Sequence, residues 1–278
     1  MTDHLSGKVV VVTGAAGGFG RLVSLKSAAR GARLVCGDVD AAELARTVEQ
    51  IAEAGGQALA VPTDVTDLGQ MQALARQAVE RFDRLDVLVN NAGTMPLAFY
   101  ADHADAMGAW NRCIDVNFRG VLNGIVAVYD QMLHQGRGHV VNVSSIYGNF
   151  PVAGAGVYGA TKAAVNFLSE SLRIEAQGKI KVTTVRPTGV PGTGLGAGIV
   201  NPEAIVGILG HKAPAYLQMM QAHLAGELPA AHADPDSIEY YALAPEHLAE
   251  QIVYAIDQPW GISIGDITVR ASGDAYLL

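Results

Sequence analysis

Aromatic residues make up only 6% of this 278-residue chain, cysteines number two, and basic residues are outnumbered, 19 Lys and Arg against 27 Asp and Glu. Each shortage excludes something. A formal net charge of −8 is the wrong sign for a nucleic-acid partner, which calls for a basic patch. The two cysteines, Cys36 and Cys113, fall in a predicted strand and a predicted helix, which predicts buried thiols and fits a cytoplasmic setting. No apolar run follows the short polar start, so neither secretion nor membrane insertion is expected. His211, His223, His232 and His247 are scattered, and no Cys/His cluster has ligand spacing, so no metal site is expected. No Pro- or Ser-rich linker divides the chain, and nothing repeats beyond a strand–helix rhythm. One domain over 1–278 is therefore predicted.

What the chain has in quantity is hydrophobic residues, half of the total, and they are ordered. Apolar, β-branched runs predict strands near 8–13, 33–38, 57–62, 85–90, 138–144, 180–186 and 262–270, with helical patterns between them. Such alternation predicts an α/β fold: a single doubly wound parallel sheet of about seven strands with helices on both faces, of the Rossmann type.

Three stretches carry chemistry. The first runs from Val9 to Gly20: a buried-strand run, a glycine turn spaced G-x-x-x-G-x-G, then an amphipathic segment from Arg21 through Arg30. Glycines let backbone approach a pyrophosphate, and a helix N-terminus supplies free N–H groups and a favourable dipole. The second is Gly138 to Ser145, another buried run ending in two serines. Serines at the carboxyl end of a parallel strand face the crevice where doubly wound sheets bind ligands, or else cap the next element. The third is Tyr158-Gly-Ala-Thr-Lys162, in a run predicted helical from Val157 to Ser171. Positions i and i+4 share a helix face. A phenol titrating near ~10 is a poor base at neutral pH, and lowering it by roughly 3 units needs about 4 kcal/mol. A neighbouring ammonium acts in that direction. By itself such a pair is more often a packed ring beside a solvated lysine.

In this order and spacing, the motifs closely resemble those of the short-chain dehydrogenase/reductase family, over nearly the whole chain. The T-G-x-x-x-G-x-G motif is Thr13, Gly14, Gly18 and Gly20; N-N-A-G is Asn90, Asn91, Ala92 and Gly93; the helix asparagine is Asn117; Y-x-x-x-K is Tyr158 and Lys162. The family's serine lies thirteen residues before its tyrosine, which selects Ser145 as functional and leaves the capping role to Ser144. The resemblance implies that Tyr158 is the proton donor and acceptor at the substrate oxygen. It makes Ser145 the group orienting that oxygen. Lys162 would lower the Tyr158 pKa and hold the nicotinamide ribose, and Asn117 would hold a water of the proton relay. It further implies cofactor contacts at Gly14, Gly17, Gly18, Phe19, Gly20, Asp64, Val65, Asn91, Ala92, Gly93, Pro187 and Val190, besides Tyr158 and Lys162. Two departures stand out. Thr188 occupies the glycine position after Pro187, with the usual threonine displaced to Thr193, and Arg270-Ala271-Ser272-Gly273-Asp274 replaces the usual Asp-Gly-Gly near the C-terminus.

The cofactor's identity is read from the second strand. Asp38 follows the glycine turn at the spacing of a ribose-binding acid. Its carboxylate would accept from ribose hydroxyls and repel a 2′-phosphate. Val39 stands where an arginine would recruit that phosphate. NAD(H) is expected over NADP(H). Asp40, rather than Asp38, is expected to cap the following helix.

The segment 189–244 is the least regular. It opens with Gly192, Gly194, Gly196 and Gly198 and carries a predicted helix around Pro214 to Leu224. By the resemblance it is a lid over the substrate. Leu217 and Met220 either face the substrate or pack the lid on the core. Met95, Ile146, Tyr147, Phe150, Val152 and Tyr216 are the expected pocket walls, and none is charged. A carboxylate or phosphate substrate would want a cation there. The expected activity is therefore an NAD-dependent alcohol dehydrogenase or ketone reductase acting on a neutral, hydrophobic secondary alcohol or ketone. A non-catalytic NAD(H)-binding sensor is the alternative from another class, and a dehydratase or epimerase that recycles its cofactor is a third. By the resemblance, segments near 105–135 and 155–178 form a two-fold interface, so a homodimer or homotetramer is expected.

Overall fold

Runs of valine with no polar face fit the inside of a parallel sheet covered by helices on both sides. That is where they lie in the computed structural model, which describes residues 3–276. The strands are β1 (Val9–Thr13), β2 (Arg33–Asp38), β3 (Gln57–Pro62), β4 (Val87–Asn90), β5 (Gly138–Val143), β6 (Ile180–Pro187) and β7 (Asp266–Val269). β1, β4 and β5 are buried at every position. The sheet order is β3-β2-β1-β4-β5-β6-β7, and every neighbouring pair is parallel.

The helices sort onto two faces by the alternation of β1. Val9 and Val11 pack with residues of α3 (Leu68–Phe82), α5 (Gly120–His134) and α6 (Gly156–Glu175). Val10 and Val12 pack with α1 (Gly18–Ala29), α2 (Ala41–Glu53) and α10 (Pro245–Ile256). Chain order reverses between β1 and β4, so their carboxyl ends splay and open a crevice at the switch point. The residues just beyond those ends belong to the glycine turn and to Asn91–Gly93.

Local signals account for most boundaries. The Asp40 carboxylate accepts from the Glu43 N–H at 3.0 Å and starts α2, as the sequence suggests. Asp67 does the same for α3. The helix expected from Arg21 begins at Gly18, and that expected over 157–171 runs from Gly156 to Glu175. The strand expected over 262–270 is only β7, four residues long. The reason is visible in its partners. The Ile262 carbonyl accepts from the Lys181 ammonium at 2.9 Å and the Ile264 carbonyl from the Thr183 hydroxyl at 2.6 Å, so side chains take bonds that a ladder would use.

After β6 the chain leaves the layered architecture. Two 3₁₀ turns, Leu195–Gly198 and Pro202–Ile205, lead to α7 (Val206–Leu209), α8 (Ala213–Ala225) and α9 (Ala230–Ala233) before α10. This segment is fastened at several points. The Val200 and Asn201 N–H groups donate to the Leu97 carbonyl at 3.1 and 2.9 Å. A side chain at Gly207 would fall 2.0 Å from the Ala153 carbonyl oxygen, so backbone meets backbone there. Ile208 and Leu209 join Leu97, Tyr147 and Tyr158 in a separate apolar cluster. α4 (His103–Cys113) and the π-helical stretch Ile114–Arg119 precede α5 without a break. No helix among the described residues is long and apolar enough to cross a membrane.

Candidate active site

The glycine turn is held by the strand beside it. The Thr13 hydroxyl accepts from the Asn91 and Ala92 N–H groups at 3.1 and 3.2 Å, and the Asn91 amide donates to the carbonyls of Thr13 and Gly14. Gly14 and Gly18 adopt positive φ, +66° and +48°, a region L side chains rarely enter. Gly20 faces inward: a Cβ there would lie 2.0 Å from the Gly14 carbonyl oxygen. Gly20 is therefore a packing residue that lets α1 approach β1. It does not line the cavity, contrary to the cofactor contact expected of it. α1 begins at Gly18 with no side-chain cap and no acidic residue in its first turn. Its N–H groups are left to whatever occupies the crevice.

A cavity of about 1240 Å³ runs from this turn to the segment after β6. Gly14, Gly17, Gly18 and Phe19 line it, as do Asp38, Val39, Asp64, Val65, Asn91, Ala92, Gly93, Pro187 and Val190. Asp38 is fixed from behind: its carboxylate accepts from the Ala16 and Asp40 N–H groups, both at 3.0 Å. Arg21, which reaches the Ala16 carbonyl in the same turn, is tied up elsewhere. It pairs with Glu43 at 2.8 Å, donates to Thr47, and also bonds the Ala16 carbonyl. The uncapped helix, the glycine cradle and the anchored carboxylate form a site whose donor and acceptor set fits a dinucleotide.

At the other end of the cavity stand Ser145, Tyr158 and Lys162. Tyr158 is 3% exposed and meets Tyr147 edge to face, with ring centroids 5.6 Å apart. Burial raises its pKa well above the ordinary phenol value, and the Ser145 hydroxyl pulls the other way. The sequence argument expected Lys162 to do the lowering. In this structure the ammonium sits over the ring, 5.8 Å from its centroid, and donates to the Val143 carbonyl at 2.8 Å. It is buried without a carboxylate, which brings its own pKa down to about 8. The pair shares a helix face, and the bond to the Val143 carbonyl is what holds the ammonium there.

The capping assignment of the two serines is corrected as well. Ser145 accepts from the Tyr147 N–H at 3.2 Å and caps the short turn Ile146–Gly148. Ser144 instead donates to the Lys162 carbonyl at 3.1 Å and ties β5 to α6. Because Ser145 still lines the cavity, its cap bond fixes its rotamer.

Asn117 is fully buried in the π-helical stretch and does not line the cavity. Its side chain is spent on Thr94, accepting from that N–H and donating to that carbonyl, both at 2.9 Å. These bonds orient the side chain and leave one lone pair of Oδ1 for the relay water expected at Asn117. They also hold the strand β4 exit against α4.

Of the expected pocket walls, Met95, Tyr147 and Tyr216 line the cavity and Ile146, Phe150 and Val152 do not. Ile146 points into the core at 3% exposure, Phe150 is 54% exposed, and Val152 packs against Gly207. Within the segment after β6, Met220 lines the cavity while Leu217 is half exposed. Thr193 stands near the glycine turn, its carbonyl 2.8 Å from where a Gly18 Cβ would be. Thr188 turns toward β7, its hydroxyl donating to Val269. Sequence reasoning missed Ile199, Ile205 and above all Tyr276. It comes from the C-terminal tail, is 8% exposed, lines the cavity, and places its hydroxyl 3.4 Å from that of Tyr216. The one signal for it was an aromatic in a tail that departs from the expected pattern.

Comparison with known proteins was consistent with this geometry. A family model described as short chain dehydrogenase matches residues 8–203. An uncharacterised oxidoreductase of Listeria monocytogenes is 32% identical over 275 residues, covering 98% of this chain and 99% of its own. A 2,5-dichloro-2,5-cyclohexadiene-1,4-diol dehydrogenase of Sphingobium indicum is 35% identical over 191 residues, 68% of this chain and 76% of its own. Among solved structures, a short-chain dehydrogenase/reductase of Burkholderia phymatum in complex with NAD superposes with a TM-score of 0.74 at 31% identity, covering 96% of this chain and 90% of that one.

Proposed function

Since the chain belongs to the short-chain dehydrogenase family of nicotinamide-dependent oxidoreductases, we propose that it interconverts a neutral secondary alcohol and its ketone with NAD(H), Tyr158 acting as general acid and base. The observation that carries this reading is the convergence of Ser145, Tyr158 and Lys162 on the same cavity as the glycine turn and Asp38. The walls nearest Tyr158, from Met95, Tyr147, Ile199, Ile205, Tyr216 and Tyr276, are uncharged. Arg112 is the lining cation outside this machinery and is exposed on α4.

The nicotinamide, when bound, supplies the hydride acceptor for oxidation and the hydride donor for reduction. The chain's residues do the rest. Gly14, Gly17 and Gly18 admit the pyrophosphate to the N-terminus of α1, and Asp38 accepts from the adenosine ribose hydroxyls. Lys162 has donors to spare beyond its bond to Val143 and holds the nicotinamide ribose. Ser145 donates to the substrate oxygen and sets its direction. Tyr158 takes the hydroxyl proton as the carbinol carbon loses hydride, or returns it to the ketone oxygen. Burial holds the phenol protonated in the structure as it stands. The positive nicotinamide ring and the Lys162 ammonium are the two charges available to offset that. Asn117 is a positioning residue that fixes Thr94 at the cavity wall.

NAD(H) is favoured because Asp38 is held in place and Val39 beside it is 62% exposed with no cation to offer. The segment 189–244 serves as a lid within a single domain, since Thr193, Leu195, Tyr216 and Met220 all reach the cavity. An apolar stripe on the outer helices supports a homodimer or homotetramer: Phe167 and Ile174 of α6 are 78% and 75% exposed, and Leu122, Val126 and Met107 add to it. The similarity to a cyclohexadiene-diol dehydrogenase supports a ring alcohol as substrate. The test is NADH formation across neutral secondary alcohols with NAD⁺ and with NADP⁺. Turnover with NAD⁺, with preference falling at least about tenfold in Asp38→Asn, is the expected result. Equal use of NADP⁺ by the unsubstituted enzyme overturns the cofactor assignment, and NADH binding without turnover of any alcohol favours a sensor.

A further inference from the structure

Three phenols other than Tyr158 border the substrate end of the cavity: Tyr147, Tyr216 and Tyr276. In a chain with only 6% aromatics, and in a wall otherwise made of Met95, Ile199 and Ile205, phenylalanine would have filled the same space. The hydroxyls are what distinguishes the wall. We propose that the substrate is an oxygenated ring, carrying besides the oxygen that meets Tyr158 at least one further hydroxyl or carbonyl oxygen held by Tyr147 and by the Tyr216–Tyr276 pair. This rests on the dehydrogenase reading of the same cavity.

The count of donors supports it. Tyr147 is 8% exposed, and its hydroxyl meets no partner among the described residues. The Tyr216 and Tyr276 hydroxyls lie 3.4 Å apart, and two hydroxyls so placed share one hydrogen. One O–H of that pair is left over. Burial raises the pKa of all three phenols; neighbouring phenols add to this for Tyr147 and Tyr276, while the bond with Tyr276 pulls Tyr216 the other way, and all three remain donors at neutral pH. Two O–H groups of the wall thus have no protein acceptor, and a ligand oxygen that accepts from them gains bonds an apolar wall cannot offer.

The placement of Tyr276 is specific. Its hydroxyl lies 1.9 Å from where a Cβ on Gly189 would stand, so only glycine at the end of β6 admits it. The ring also packs edge to face on Tyr216, with centroids 5.9 Å apart, and Tyr216 lies against Tyr241 at a tilt of 40°. The tail, the lid and the β6 exit thus fit together around one phenol tip. Beside these phenols the wall is Met95, Ile199 and Ile205, with no cation beyond the Lys162 assigned to the cofactor ribose, so the additional oxygens belong to hydroxyl or carbonyl groups rather than to carboxylate or phosphate. A site built to bond a substrate hydroxyl discriminates strongly against an analogue lacking it, more than an apolar wall discriminates by size.

The test compares kcat/KM for cyclohexanol, trans-1,2-cyclohexanediol and trans-1,4-cyclohexanediol at saturating NAD⁺. The expected result is at least one diol exceeding cyclohexanol by about tenfold or more, the effect of one good hydrogen bond. That ratio falls toward one in Tyr147→Phe or in Tyr276→Phe, with Tyr216→Phe replacing the latter should it not fold. Ratios near one for both diols in the unsubstituted enzyme, or a ratio that no phenylalanine substitution moves, overturns the proposal. If no alcohol is oxidised, the dehydrogenase reading fails separately. Calorimetric binding of the three compounds to the enzyme–NADH complex then decides: tighter diol binding that is lost in the phenylalanine variants upholds the claim, and equal or absent binding overturns it.

Discussion

The two ends of the cavity are built by different means. At the nucleotide end, Gly14, Gly17 and Gly18 are near neighbours in sequence, and the bonds that fix them come from backbone and from Thr13 and Asn91 at strand ends. At the substrate end, Tyr147, Tyr216 and Tyr276 come from a turn after β5, a lid helix and the tail. They meet through rings and hydroxyls, and little backbone bonding joins them. The first arrangement has little slack at Gly14, Gly18 and Gly20, where backbone atoms stand within 3 Å of a would-be Cβ. The second can change one side chain at a time while the sheet stays as it is. The same sheet can therefore keep one cofactor and accept different substrates.

The sharpest way to break the contrast is at the glycines. Gly20→Ala pushes a methyl to 2.0 Å from the Gly14 carbonyl and 2.7 Å from the Asn91 amide, while Gly17→Ala meets nothing within 4 Å. The first should unfold the protein or lower Tm by on the order of 10 °C, and the second should change Tm by no more than a few degrees. Thermal melts of the two variants check this, and equal Tm values would erase the distinction.

Gly189→Ala moves the test to the other end. The methyl would meet the Tyr276 hydroxyl and two of its ring carbons, all side-chain atoms, so the ring must leave its place beside Tyr216 while the backbone stays. The expected outcome is a folded enzyme with unchanged NADH affinity and a KM for alcohol raised about tenfold. Loss of NADH binding in this variant would show that the two ends are not independent.

A smaller effect is expected from Lys162, which stands between the two ends. Burial holds its pKa at about 8, against ~10.4 for the unfolded chain. Between those values the unfolded state binds more protons, so stability rises with pH. Relative to Lys162→Met, the unsubstituted protein should gain Tm from pH 8 to pH 10. A flat difference would mean that the ammonium is not desolvated.

The nucleotide end was legible in the sequence for the same reason that it is rigid. Strand, glycine turn, helix and acid follow one another along the chain, so their spacing alone places Gly14 to Gly20, Asp38 and the Asp40 cap. Gly20 was misread because a glycine that admits backbone and one that admits a ligand look alike in one dimension. The substrate end was legible only in part. Tyr147 and Tyr216 were found, but Ile146, Phe150 and Val152 alternate away from the cavity through turns whose directions no period fixes. Tyr276 was missed because its role depends on a contact with Gly189 across most of the C-terminal region. The Lys162 charge was placed on the right face, but its bond to the Val143 carbonyl was not readable, since i, i+4 spacing sets proximity and not where a flexible ammonium bonds.

The chemistry proposed for this cavity turns on the Tyr158 hydroxyl. The direct measurement is NADH formation from NAD⁺ and a neutral secondary alcohol by the unsubstituted enzyme and by Tyr158→Phe, with NADH affinity measured on both. The prediction is a fall in kcat of about 10²- to 10⁴-fold with NADH affinity held within about threefold. Turnover by the phenylalanine variant within about tenfold of the unsubstituted enzyme, which corresponds to only about 1.4 kcal/mol, would contradict it.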